Sequence, residues 1–115
     1  MTESNDLIDM EEIMEIMDND TELIRECFDD FINEYPRVIE NIQNAISSGD
    51  SKSLDAFAHK LKGSLRYLAA SKTADIAYEL EKKGKTGDLE GTENLVERLS
   101  ESCDGLKEFM DTYSG

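Results

Sequence analysis

The chain has 115 residues, of which 38% are hydrophobic and 34% are charged, and its formal net charge at pH 7 is -15. This length suffices for one domain with one core, and we expect residues 1–115 to form a single domain. The acidic balance disfavours binding to nucleic acid or to an anionic membrane, because both carry the same sign of charge. No apolar run approaches the roughly 18 residues of a membrane span. The acidic N-terminus lacks the features of a signal peptide, so the sequence predicts a cytosolic protein.

Apolar residues recur at three- and four-residue steps along the chain, a spacing that predicts helices and not strands. Asp20 is the expected N-cap of the second helix. The third helix is expected to begin after Asp50 or Ser51, and the fourth after Ser71. Pro36 falls inside the second helix, where we expect a bend and not a break. The first three predicted helices span about residues 9–17, 21–47 and 51–69. The fourth begins at about residue 72 and ends at residue 84 or 87. The fifth begins between residues 88 and 92 and ends near residue 113.

Four of these helices are long and their connections are short. This pattern predicts an all-α fold, an antiparallel up-down-up-down four-helix bundle, with the short first helix as an N-terminal cap. Cys27 and Cys103 lie far apart at apolar helix positions, so we expect two buried thiols and no disulfide. Two cysteines and a single histidine at these spacings match no metal-ligand pattern, so the sequence predicts neither a metal nor a cofactor.

The charge is distributed unevenly along the chain. The net charge is -12 over residues 1–40, +2 over residues 41–71 and -5 over residues 72–115. The only histidine of the chain, His59, lies in the positive segment. A basic segment inside an acidic protein indicates a local task that involves negative charge.

The third helix separates an apolar face from the face that carries His59. At about 100° per residue, His59 falls roughly 140° from the first apolar position, with Lys62 and Arg66 on the same side. Gly63 falls beside His59, although a glycine inside a helix costs about 1 kcal/mol relative to alanine. The missing side chain clears room at the imidazole, and the two basic residues supply charge that suits a phosphoryl group. A merely solvated histidine is the alternative. The predicted core residues of this helix are Leu54, Phe57, Ala58, Leu61, Leu65 and Leu68.

The chain resembles the histidine phosphotransfer (Hpt) domain family in two segments, Ala58-His59-Lys60-Leu61-Lys62-Gly63-Ser64 and Leu68-Ala69-Ala70. The family pattern is Ala-His-x-Leu-Lys-Gly-Ser, followed a few residues later by Leu-Gly-Ala. Two residues depart from this pattern. Leu65 stands where the family often has a small residue, and it should alter the packing of the helix. Ala69 stands where the family often has glycine, and it should alter the turn into the fourth helix. The resemblance covers nearly the whole chain. It implies a phosphorelay carrier that accepts a phosphoryl group from a receiver aspartate or a histidine kinase and passes it to a response-regulator receiver domain.

The resemblance also implies roles for individual residues. His59 is expected to be phosphorylated, Lys62 to stabilise the phosphoryl group and Gly63 to permit close docking. If the third and fourth helices form an antiparallel hairpin that turns near Ala70, Glu81 lies opposite His59. A carboxylate there would accept a hydrogen bond from the imidazole and fix its tautomer; an ordinary surface glutamate is the alternative. The partner-binding surface is expected to comprise Gly63 at its middle, Arg66, and two small residues that the helical wheel places on the outer half, Ala56 and Ala70.

The sequence shows no phosphate-binding glycine loop, no metal constellation and no second type of catalytic nucleophile near His59. We therefore expect a phosphocarrier that is not an enzyme and has no nucleotide site. The alternative is an acidic helical adaptor or nucleic-acid mimic with no phosphotransfer. We expect a cytoplasmic monomer that binds neither nucleic acid nor membrane. Met1 favours a free-standing protein over a segment of a larger hybrid kinase.

Overall fold

The computed structural model describes residues 7–113, and within that range the backbone forms helices and no strand. The prediction of an all-α fold is confirmed for this part of the chain. Residues 1–6 and 114–115 of the expected domain lie outside the described residues. The helices are α1 (Met10–Ile16), α2 (Thr21–Ser47), α3 (Ser51–Tyr67), α4 (Ser71–Thr86) and α5 (Thr92–Thr112).

Three aspartates begin helices α1 to α3. The side chains of Asp9, Asp20 and Asp50 each accept a hydrogen bond from the backbone N–H three residues on, at 3.1 Å. Such caps satisfy one of the backbone donors that a helix leaves open at its N-terminus. The predicted cap at Asp20 is confirmed, and of the two candidates for α3 the cap is Asp50. α2 also continues past Pro36 as one helix, as predicted.

The turn between α3 and α4 differs from the prediction. α3 ends at Tyr67, two residues earlier than predicted, and Ala69 adopts a left-handed φ of 59°. The backbone N–H of Ala70 donates to the carbonyl of Leu65 at 2.9 Å, which closes the turn. Ser71 is the first residue of α4 and not its cap, because Ala70 takes the cap position, where an alanine offers no side-chain acceptor.

The four long helices pack in the order in which they follow one another. α3 packs against α2 and α4, and α5 packs against α4 and α2, while the short α1 contacts α2. The most extensive pairing joins α3 and α4. Gly84, inside α4, permits their close approach, since a Cβ there would lie 2.5 Å from the backbone nitrogen of Asp55. Facing residues run in antiparallel order along this pair: Asp55 with Lys85, His59 with Glu81, and Lys62 with Tyr78.

The buried face of α3 is nearly the predicted one. Phe57 is only half-buried, so the prediction that it lies in the core is wrong. It stands at the seam with the polar C-terminal end of α2, near Asn41 and Asn44. The other predicted core residues, Leu54, Ala58, Leu61, Leu65 and Leu68, are buried. Their burial sets the rotation of α3 and thereby the direction of every side chain on its outer face.

The two cysteines are both free thiols. Cys103 lies in the core, and burial raises the pKa of its thiol to about 12, so the thiol is protonated at neutral pH. Cys27 is half-buried and not fully buried as predicted, with its sulfur 3.8 Å from that of Met17. Across residues 7–113, no His, Cys, Asp or Glu cluster of three or more could hold a metal ion. Among the described helices, none is long and apolar enough to cross a membrane.

Candidate functional site

His59 stands on the exposed face of α3, as predicted. Its side chain is 68% exposed, whereas the preceding residue, Ala58, is fully buried. The helix therefore turns the imidazole outward while its apolar face is held by the neighbouring helices. An imidazole in this position is accessible to a second protein.

The carboxylate of Glu81 lies beside the imidazole and beneath the surface. Its Oε2 is 3.0 Å from Nδ1 of His59, and the glutamate side chain is only 4% exposed. Because an ionised carboxylate can only accept, we assign the proton of the neutral imidazole to Nδ1, which donates it to Oε2. The lone pair is then on Nε2, the ring nitrogen that Glu81 does not bind. This geometry agrees with the predicted placement of Glu81 opposite His59 and not with an ordinary surface glutamate.

Lys62 is held at the same carboxylate. Its Nζ lies 2.7 Å from Oε1 of Glu81, and its side chain is 13% exposed. The contact is a close ion pair, and Oε1 has no other polar partner among residues 7–113. The ammonium also lies 5.0 Å from the centre of the Tyr78 ring. Lys62 is therefore shielded beside Glu81, one turn from His59, instead of extended into solvent.

Two opposing effects set the pKa of Glu81. Burial raises the pKa, because a charged carboxylate loses solvation in the protein. The Lys62 ammonium and the His59 ring nitrogen lower it by more, and the net result is a pKa below the ordinary value of 4.5. Glu81 is therefore ionised at neutral pH and is a fixed negative charge beside His59.

Lys85 is a residue of the site that the sequence did not identify. Its Nζ lies 3.7 Å from Oε2 of Glu81 and 3.3 Å from Oδ1 of Asp55, and its side chain is 57% exposed. Lys85 follows Glu81 by four residues, which places both on the same face of α4. That spacing is a usable signal only after Glu81 has been assigned to the site. A second cation thus lies within reach of the carboxylate that binds His59.

The outer face of α3 around His59 is open. Ala56, Gly63 and Arg66 are exposed there, as predicted. A Cβ on Gly63 would meet no atom within 4 Å among the described residues. Ala70 is fully buried, and the prediction that it lies at this surface is wrong. The helical periodicity used to place it does not extend past the end of α3, since the left-handed backbone of Ala69 redirects the chain.

Two comparisons with known proteins give matches. The family model described as the Hpt domain matches residues 26–109, a range that contains all of α3 and α4. The crystal structure of histidine-containing phosphotransfer protein B (HptB) from Pseudomonas aeruginosa PAO1 is similar, with a TM-score of 0.76 and 21% identity over 87% of this chain and 84% of that chain. At this level of identity the similarity shows a shared fold. No curated protein matches the chain significantly.

Proposed function

The chain belongs to the Hpt domain family and is a histidine phosphotransfer carrier of a phosphorelay, and on this basis we propose that Nε2 of His59 carries the phosphoryl group. The observation that best supports this assignment is the contact between Nδ1 of the exposed imidazole and the buried carboxylate of Glu81. The contact places the proton on one ring nitrogen and leaves the nucleophilic lone pair on the other.

The transfer step follows from this arrangement of the two nitrogens. Nε2 attacks the phosphorus of an aspartyl phosphate, a bond forms between Nε2 and phosphorus, and the bond from phosphorus to the aspartate oxygen breaks. The aspartate leaves as a carboxylate. The ring keeps its Nδ1 proton and becomes positively charged, and the carboxylate of Glu81 stabilises that charge. The reverse step passes the phosphoryl group to the aspartate of a receiver domain.

Lys62 and Lys85 provide positive charge for the phosphoryl oxygens. Both ammonium groups lie at Glu81, at 2.7 Å and 3.7 Å respectively. A phosphoryl group on His59 carries up to about two negative charges and competes with the carboxylate for these cations. A small shift of either ammonium brings it to the phosphoryl oxygens as a charge-assisted partner. We assign the main contact to Lys62, which is the more shielded, and a secondary one to Lys85.

The proposed partners follow from the family and from the exposed face of α3. Hpt domains interact with receiver domains and histidine kinases in phosphorelays. For this chain, we assign docking to the surface around Gly63, with Ala56 and Arg66 at its edge. The packing of neighbouring helices is consistent with an antiparallel up-down-up-down four-helix bundle with α1 across one end. Such a bundle would hold the docking surface rigidly. The chain acts as a monomer and receives its phosphoryl group from a partner protein and not from a nucleotide.

A pulse–chase experiment tests the carrier role. The chain is loaded with radiolabelled phosphoramidate, separated from the donor and incubated with a panel of receiver domains from the same organism. We expect acid-labile label on the chain that moves to at least one receiver. Acid-stable label, or a loaded chain that loses phosphate only to water in the presence of every receiver, contradicts the proposal.

A further inference from the structure

The ring of Tyr78 lies beside two ammonium groups on the surface of the α3–α4 pair. Nζ of Lys62 is 5.0 Å and Nζ of Lys82 is 4.9 Å from the ring centre, and both distances are within the range of cation–π attraction. Tyr78 is on α4, directly across from Lys62 on α3. Its ring therefore covers the side chain that lies one turn beyond His59.

Core packing does not account for the position of Tyr78. The residue is 39% exposed and is one of the few large apolar side chains that the described residues leave at the surface. A ring exposed to this extent contributes less to the core than a buried one. The contacts of the ring with the two ammonium groups therefore indicate its role better than its packing does, because a ring face attracts an ammonium through its quadrupole.

The two ammonium groups beside the ring have different surroundings. Lys82 is half exposed and pairs with Glu79 at 3.0 Å, next to it on the surface of α4. Lys62 is 13% exposed and lies between the ring and the carboxylate of Glu81. Both ammonium groups thus contact the ring and a carboxylate, but only that of Lys62 is shielded from solvent. The ring has its larger effect on this shielded ammonium, since cation–π attraction grows with desolvation.

We infer that Tyr78 is a positioning residue that keeps the ammonium of Lys62 beside His59, an inference that rests on the proposed function of the site. A lysine side chain has many rotamers, and ordering it costs entropy unless contacts hold it. Glu81 holds Lys62 but also neutralises it. The ring of Tyr78 attracts the ammonium without adding a negative charge, so the cation remains in place when it leaves Glu81 for the phosphoryl oxygens.

The placement of Lys62 can be tested without phosphorylation. A proton that lies over an aromatic ring resonates upfield, so the Cε protons of Lys62 should be shifted upfield in the NMR spectrum of the wild-type chain. We expect the shift to persist in Tyr78→Phe, which keeps the ring, and to disappear in Tyr78→Leu. If Tyr78→Leu leaves the Lys62 resonances unchanged, the ring does not hold the ammonium and the inference fails even if the chain is a phosphocarrier.

The effect on function is read from the lifetime of phosphohistidine after loading with phosphoramidate, with no partner protein present. We expect Tyr78→Leu to shorten the lifetime by at least about two- to fivefold, because a cation–π contact to a shielded ammonium is no weaker than an exposed one. Tyr78→Phe should retain the wild-type lifetime. Lys82→Ala, which removes the other ammonium at the ring, is the matched control and should not shorten it.

A double-variant comparison separates positioning from a general effect on the helix pair. In a Lys62→Ala background, Tyr78→Leu should cause no further shortening, because the ammonium that it positions is absent. Equal shortening by Tyr78→Leu in both backgrounds overturns the inference, as does a Tyr78→Phe lifetime as short as that of Tyr78→Leu. Absence of phosphoryl uptake by the wild-type chain would instead contradict the proposed function, and the NMR result would still decide the placement of Lys62.

Discussion

Glu81 connects the charged groups at the site. Its carboxylate lies 3.0 Å from Nδ1 of His59, 2.7 Å from Nζ of Lys62 and 3.7 Å from Nζ of Lys85. A buried charge has a large desolvation cost, which these partners offset. Removal of the carboxylate leaves the ammonium groups of Lys62 and Lys85 without this partner, and the Nδ1–H group of His59 without its acceptor. Substitutions within this group of residues should therefore have effects that do not add.

The lowered pKa of Glu81 predicts a loss of stability in acid. Its folded-state pKa lies below the ordinary value of 4.5, so its contribution is fully present above about pH 4.5 and is lost as the pH falls through the folded-state pKa. We expect the free energy of unfolding of the wild type to exceed that of Glu81→Gln above this value, and the difference to shrink as the pH falls below it. Urea unfolding across a pH series measures the difference.

The control for this pH dependence is the same comparison in a His59→Gln background. That background removes the only histidine of the chain, so the comparison reports on the carboxylate alone. The free energies of unfolding are then compared with and without the Glu81→Gln substitution. A difference between these two chains that stays constant down to about pH 3 would show that the carboxylate gains nothing from its partners.

Lys62 and Arg66 should affect the phosphorylated chain differently. Lys62 is shielded one turn from His59, whereas Arg66 is exposed and about 10 Å away along the helix axis. We expect Lys62→Ala to shorten the phosphohistidine lifetime by about tenfold, the scale of one charge-assisted contact. Arg66→Ala should leave the lifetime unchanged and weaken receiver binding at low salt. Phosphorus NMR of the loaded chain alone measures the lifetime, and equal shortening by both substitutions contradicts this division of roles.

The part of the site that lies on one helix could be predicted from the sequence. Periodicity alone places His59 and Gly63 on the outer face of α3, because both directions are set within one helix. Glu81 required an assumption about the register of two helices, which the structure matches. Lys85 and Tyr78 were missed because their importance depends on distances across the helix pair, and no pattern within one helix gives those distances.

At the scale of helices, the site depends on how closely α4 approaches α3. A Cβ on Gly84 would lie 2.5 Å from the backbone nitrogen of Asp55 and 2.8 Å from the carbonyl oxygen of Ser51. These are backbone atoms of the N-terminal part of α3, and they cannot move aside as a flexible side chain could. Gly84 therefore sets the separation of the two helices that carry His59 and Glu81.

The two glycines of this helix pair should respond oppositely to alanine. Gly63→Ala meets open space, so we expect an increase in the free energy of unfolding by up to about 1 kcal/mol from helix propensity. Gly84→Ala meets backbone, and we expect a decrease of about 1–3 kcal/mol from overpacking. Urea unfolding of the two variants beside the wild type measures both. A Gly84→Ala chain as stable as Gly63→Ala would show that the helices are not held this closely.

Helix bounds could be predicted to within a few residues because caps and periodicity are local. The turn after α3 could not, because Ala69 adopts a left-handed φ of 59° that a non-glycine residue rarely takes. The family pattern often has glycine at this position, and the backbone shows why a glycine suits it. The burial of Ala70 follows from that same turn, which explains why a helical wheel placed Ala70 wrongly.

At the scale of the whole molecule, a partner meets an acidic protein of net charge -15 whose phosphoryl site lies in the segment of net charge +2. A receiver of negative net charge is repelled by much of the chain and attracted at the outer face of α3. In the proposed docking, the open space beside Gly63 allows the receiver aspartate to approach Nε2 of His59 closely.

Gly63→Gln should block this approach without damage to the fold. The longer side chain occupies the docking space, while the helix gains several tenths of a kcal/mol because glutamine is the better helix former. We expect a higher melting temperature, normal loading from the small donor phosphoramidate, and transfer to a receiver reduced by at least about tenfold. Wild-type transfer rates in this variant would place the docking surface elsewhere on the molecule.

That His59 carries the phosphoryl group is tested most directly by phosphoryl uptake in His59→Gln. The imidazole is exposed, so its replacement opens no cavity, and the variant should remain folded with a loss of stability only from the missing partner of Glu81. We expect the variant to take up no acid-labile label from phosphoramidate or from a phosphorylated receiver, under conditions in which the wild type is loaded. Uptake by His59→Gln equal to that of the wild type would contradict the assignment.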